Sequence, residues 1–142
     1  MAEGLGAAHQ GVELVAEIDR RFAALQRTRV DPPLRTLYAT PTGYTTGPNT
    51  LMHDLLLAAG VSNFQSRAGW HPLPLERLVY EQPDQLVVAF FDSHDNQQNL
   101  WSSARHPVFR ELLENNPVVE LPGAWTACGG WFLLDAIEAL AR

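Results

Sequence analysis

Apolar positions along the chain change period several times, and each change marks an element. Val12, Val15, Ile18, Phe22 and Leu25 step by three or four residues. Together they predict an amphipathic helix over about Gln10–Gln26, with Glu13, Glu17, Arg20 and Arg21 mostly off the stripe. The residues before it read as a frayed start. Asp31-Pro32-Pro33 ends the helix, because the Pro rings exclude helical continuation. Leu34–Ala39 then reads as a strand, Thr40–Tyr44 as a turn, and Pro48–Ala59 as a helix with Pro in its first turn and Gly60 as a left-handed stop. Val61–Phe64 reads as a short strand and Pro74–Glu81 as a short helix closed by Gln82-Pro83. The unbroken apolar run Gln85–Phe91 fits a strand buried on both faces. His106–Glu114 reads as a helix, Val118–Leu121 as a strand, and Gly130–Ala141 as a closing helix with Trp131, Leu134, Ile137 and Leu140 inward.

Strands separated by helices predict an α/β fold with a mostly parallel sheet flanked by helices. Ligands on such sheets bind beyond the carboxyl ends of the strands. Each expected strand is followed there by an aromatic: Tyr44, Trp70, Phe91 and Trp125 in turn. Four stiff, partly polar rings along one edge suit a large ligand held without chemistry, although any of them can instead cap the core.

Composition narrows the function classes. The 142 residues are 46% apolar and 18% charged, enough for one domain with a real core. A net charge of −6, with all ten basic residues arginines and scattered, offers nucleic-acid phosphates no basic stripe. Cys128 is the single cysteine, so no intrachain disulfide forms, and its small apolar setting suits packing. No run approaches the about 18 apolar residues of a membrane span. Met1-Ala2-Glu3-Gly4 lacks the basic start and apolar stretch of a secretory signal.

Candidate chemistry is sparse. Gly43 and Gly47 do not make a phosphate loop, since the lysine and its spacing are missing. Gly43 suits a turn, while Thr45, Thr46 and Asn49 either donate hydrogen bonds to a ligand or cap the following helix. The histidines show no i, i+4 pair, no HxH and no HExxH. Asp92, His94 and Asp95 are close in sequence, and Asp92, His94 and His106 leave open a small α/β metal-dependent hydrolase. No GxSxG elbow accompanies Ser93-His94. Glu76, in the first turn of its helix, is explained by the helix dipole alone.

Order and spacing of several segments nevertheless resemble a known family. Gly43-Tyr44-Thr45-Thr46-Gly47-Pro48-Asn49-Thr50-Leu51, Asp54-Leu55-Leu56 and Ala58-Ala59-Gly60-Val61-Ser62-Asn63 resemble the carboxyl-terminal lobe of ABC-importer binding proteins for ferric siderophores, haem and vitamin B12. Trp70, Leu75-Glu76-Arg77-Leu78, Gln82-Pro83-Asp84, His106-Pro107, Leu121-Pro122-Gly123 and Trp125 through Ile137 continue the likeness. The resemblance covers residues 10–142 and implies one Rossmann-like lobe of a helical-backbone periplasmic binding protein. Residues 1–28 would be the end of the helix joining two lobes, and 29–142 the carboxyl-terminal lobe. It implies a non-enzymatic carrier, periplasmic or otherwise extracytoplasmic, with the amino-terminal lobe and the signal segment not in this chain.

The resemblance also implies roles. Tyr44, Trp70, Phe91 and Trp125 would contact the ligand, and Glu76 would dock on an arginine of the membrane ABC permease. Pro74 stands where the family often has a helix-capping Ser. No resident cofactor or metal is expected; the transported ligand is a metal chelate or corrin (ferric siderophore, haem or cobalamin). An interaction module meeting a protein partner through exposed aromatics is the remaining alternative.

Overall fold

The computed structural model describes residues 4, 6–27, 29–90, 106–126 and 129–141. Helix α1 (Ala8–Arg27) leads into β1 (Arg35–Ala39), β2 (Tyr44–Thr46), α2 (Leu51–Ala58), β3 (Ser62–Asn63) and β4 (Trp70–Pro72). Then follow α3 (Leu75–Tyr80), β5 (Gln85–Phe90), α4 (Pro107–Asn115), β6 (Val118–Pro122), a 3-10 turn at Gly123–Trp125 and α5 (Leu133–Leu140).

Four strands form a wholly parallel sheet in the order β3-β1-β5-β6. The register pairs Leu37 with Leu86 and Val87 with Val119. Alternation along β1 then divides the core in two. Tyr38, with Val87, Ala89 and Leu121, meets Leu55 and Leu56 of α2 and Leu134, Ile137 and Leu140 of α5. Leu37 and Ala39 point the other way and, with Leu86, meet Leu78 of α3 and Phe109 and Leu112 of α4. The result is three layers, the expected α/β arrangement. The chain leaves β1 toward β3 and leaves β5 toward β6, so adjacent strands β1 and β5 send their connections in opposite directions. A crevice opens at the carboxyl ends of such a strand pair.

Helix α2 illustrates how closely local sequence sets local structure. Thr50 is its N-cap, with the Thr50 hydroxyl accepting from the His53 amide. The expected Pro48 therefore lies just before the helix rather than in its first turn. At the other end Gly60 has φ 85°, Val61 N–H donates to Leu56 O at 3.2 Å and Gly60 N–H to Leu57 O at 3.1 Å. That double bond pattern is a Schellman stop, which needs a residue tolerant of positive φ.

Two expectations need correction. Trp131 was expected inward; α5 begins only at Leu133, and Trp131 is exposed in the turn before it. The stripe on α1 is only half used. Leu25 is buried and Ile18 and Phe22 pack beside it, whereas Val12, Leu14 and Val15 are exposed. Arg21 fixes the packed half: its Nη2 donates to Asp135 Oδ1 at 2.5 Å and its Nε to Glu138 Oε1 at 2.6 Å on α5.

Amino-terminal ends of the sheet are tied by a second charged cluster. The Arg35 guanidinium donates to Glu81 and to Gln82 O, and Arg77 donates to the other oxygen of Glu81 at 2.6 Å. Arg77 also lies 4.1 Å from the centre of the Phe64 ring, a cation–π contact. The Glu81 carboxyl is held below its usual range, first by the bond from Arg77.

Leu56 is fully buried and Val12 is 71% exposed, so the two sites separate core from surface. Leu56→Ala should cost about 2–5 kcal/mol in urea unfolding. Val12→Ala should change stability by no more than about 0.5 kcal/mol.

Candidate ligand-binding site

A cavity of about 350 Å³ opens at the carboxyl end of β1. Tyr38 lines it from β1, Trp70 and Gly69 from β4 and the residue before it, and Thr126 from the segment after β6. Asn49, Thr50, Leu51, Met52 and Leu55 supply the remaining wall from the start of α2. The position is the one that sheet topology favours.

Local sequence explains why the wall holds its shape. Thr40 N–H donates to Tyr44 O and Gly43 N–H to Thr40 O, making the tight turn after β1, with Gly43 at φ 83°. Strand β2 then pairs antiparallel with β4, Thr45 opposite His71 and Thr46 opposite Trp70. This ribbon lies where the sequence pattern indicated turn and loop. Gly47 passes so close to Arg67 that a Cβ would sit 2.0 Å from the Arg67 carbonyl oxygen, a backbone atom that cannot yield. Thr46 donates to the Thr50 hydroxyl at 2.7 Å, and Thr50 donates to Gly47 O at 2.7 Å. The helix-capping role falls on Thr50 rather than on Thr45, Thr46 or Asn49.

The expected site residues separate in space. Trp70 is on the cavity rim, 55% exposed, and meets Tyr38 edge to face with centroids 6.1 Å apart and planes at 70°. Tyr44 is exposed on the same face of the β2–β4 ribbon but does not line the cavity. Trp125 is partly buried against the core beside α5, so much of its ring serves packing, and its neighbour Thr126 reaches the cavity. Phe91 lies outside the described residues.

Tyr38 was not anticipated. It is 1% exposed, and burial pushes its phenol up to about 12. Its signal was available: period-two alternation along Leu37-Tyr38-Ala39 turns the tyrosine toward α2, one residue short of the strand's carboxyl end.

The hydrolase constellation is not assembled among the described residues. His106 caps α4, its Nδ1 accepting from Val108 N–H at 3.3 Å. Asp92, His94 and Asp95 lie outside the described residues. His53 contacts Asn63 at 3.2 Å and His71 the Ala68 carbonyl at 2.7 Å. No group of three metal-ligating side chains occurs among the described residues, and no helix among them is long and apolar enough to cross a membrane.

Glu76 occupies the first turn of α3, exposed, after a Pro74 N-cap that supplies no side-chain bond. Unlike Glu81 on the same helix, its carboxylate meets no cation among the described residues.

Comparison with solved structures places this fold. The periplasmic haem-binding protein RhuT from Roseiflexus sp. RS-1 aligns over 99% of this chain and 59% of its own, at 23% identity and TM-score 0.67. The ABC-type Fe3+-hydroxamate transport system protein from Saccharomonospora viridis DSM 43017 aligns over 95% and 49%, at 20% identity and TM-score 0.70. The TroA-like periplasmic binding protein FepB from Veillonella parvula aligns over 99% and 48%, at 15% identity and TM-score 0.75. No family model and no curated protein matches the chain. The chain therefore has the fold of one lobe of a TroA-like periplasmic binding protein, and spans about half to three-fifths of those structures.

Alkaline titration followed by tyrosinate absorbance should show one phenol ionising near pH 12, absent from Tyr38→Phe. Since the folded value lies above the unfolded one of about 10, the neutral phenol's contribution to stability is complete below about pH 10. It should be lost as pH rises through 12.

Proposed function

We propose that this chain is the carboxyl-terminal lobe of an extracytoplasmic substrate-binding protein that delivers a ferric siderophore or haem to a membrane ABC permease. One observation carries the reading: nearly the whole chain follows the fold of proteins described as haem-binding and Fe3+-hydroxamate transport components, and its strand-end cavity lies at the topological switch point. The aromatic rim supports it further, since Trp70 offers a stiff surface to a bulky chelate. Cobalamin belongs to the same proposal, although none of the three structures compared is described as binding it.

On this reading Tyr44, Trp70, Phe91 and Trp125 contribute one side of the ligand site, with Trp70 the principal contact. Residues 1–28 form the end of the helix joining two lobes, and 29–142 the carboxyl-terminal lobe. The exposed apolar Val12 and Val15 beyond the packed half of α1 support that division. The protein acts without chemistry of its own.

Tryptophan-fluorescence titration of the two-lobed protein tests the proposal against ferric hydroxamates, ferric catecholates, haem and cobalamin. Saturable quenching by one of them, reduced at least about tenfold by Trp70→Ala, is expected. Absence of saturable binding across the panel would remove the carrier reading.

Glu76 is proposed to make a charge-assisted contact with a permease arginine. Its exposed carboxylate at a helix start, without a cation partner among the described residues, supports that role. Glu76→Gln should leave the melting temperature and ligand affinity unchanged and lower uptake in cells. Full uptake by the variant would sink the docking assignment.

A further inference from the structure

Among the described residues, the strand-end cavity carries several uncommitted hydrogen-bond donors. Tyr38 Oη has no hydrogen-bond partner among the described residues. Among those residues Thr45 Oγ1 is the fully enclosed side-chain polar atom without a partner, so Tyr38 Oη keeps access to the open space its ring lines. The Leu51 and Met52 amides, in the first turn of α2, donate to no protein acceptor among the described residues. First-turn amides point back past the helix start, where Asn49 and Thr50 form the cavity wall. The Asn49 side-chain amide is also uncommitted and exposed there.

The Thr50 hydroxyl accepts from Thr46 and from the His53 amide while donating to Gly47 O. Thr126 donates to Gly123 O at 3.3 Å. Among the described residues no carboxylate and no cation lines the cavity; Asp54, in the same first turn, is not part of its wall. Around these donors the lining is apolar: Leu51, Met52, Leu55 and the Trp70 ring.

We propose that this cavity is a subsite for a carboxylate borne on a flat apolar body: the body lies against Trp70, and the carboxylate accepts from Tyr38 Oη and the Leu51 and Met52 amides. An anion there also meets the positive end of α2. A neutral group of the same size would leave the helix-end potential unused. The proposal deepens the carrier reading by naming the ligand feature its site recognises, and it rests on that reading for the site's being a ligand site.

The test uses the chain itself, isotope-labelled, with 2-naphthoate and the neutral 2-naphthylmethanol as probes followed by amide and indole resonances. Naphthoate is expected to shift the Leu51 and Met52 amides and the Trp70 indole, and to bind at least about tenfold more tightly than the alcohol, as charge-assisted bonds dictate. Tyr38→Phe should lose most of that preference without loss of thermal stability, because it deletes a hydroxyl that bonds to no group among the described residues. Equal affinity for the two probes would overturn the proposal. So would shifts confined to other residues, no saturation by millimolar naphthoate, or an undiminished preference in Tyr38→Phe. If that variant does not fold, the wild-type preference and the location of its shifts decide alone. Naphthoate bound at these amides by a protein whose two-lobed form takes no chelate keeps the subsite and removes the carrier reading. Haem binding without any acid preference does the reverse.

Discussion

Strand β1 is hydrogen-bonded on both edges and buried on both faces, and the rest of the domain is arranged to make that possible. Its backbone pairs with β3 on one side and β5 on the other. Leu37 and Ala39 supply one core and Tyr38 the other. A strand so placed cannot carry an unpaired polar group cheaply. Thr36 meets this demand by donating to the buried Gln85 side chain at 3.1 Å, with its neighbour Arg35 held by Asp84, Glu81 and Gln82. Polar insertion at the amino end is thus fully paired. At the carboxyl end Tyr38 is the exception, and it coincides with the cavity.

Much of this was legible in the sequence because burial on two faces leaves a strong mark. Gln85–Phe91 reads as a strand from its unbroken apolar run, close to the observed Gln85–Phe90, and the Pro and Gly punctuation around α2 locates that helix within a few residues. What escaped was structure made by distant pairing. Strands β2 and β4 are three residues each, flanked by Gly and Pro, and Thr45 meets His71 only after α2 and β3 intervene. No periodicity survives in segments that short. Trp131 failed for the opposite reason: its spacing suits α5, but the helix starts after it.

The candidate site was legible in place more than in membership. The expected crevice beyond the strand ends follows from topology, and the cavity lies there. Of the aromatics chosen from the loops, Trp70 lines the cavity, Tyr44 lies outside it and Trp125 packs partly against the core. Two parts of the cavity lining drew no attention in the sequence: the tyrosine inside a strand and the start of α2. A count of exposed aromatic side chains cannot find backbone donors, and a buried tyrosine reads as core until its hydroxyl is found to have no partner among the described residues.

An anion subsite in a protein of net charge −6 calls for a reason why the overall charge does not oppose it. Distance and commitment supply it. Exposed charges are screened beyond about 8 Å at physiological ionic strength, whereas the α2 amides and Tyr38 Oη would be in direct contact with a bound oxygen. Several carboxylates are also already neutralised: Glu81 by Arg35 and Arg77, Asp135 and Glu138 by Arg21. The contribution of those ion pairs, mostly surface ones, is modest in stability. They keep those acidic side chains paired away from the cavity, so their charge does not offset the donors at the start of α2.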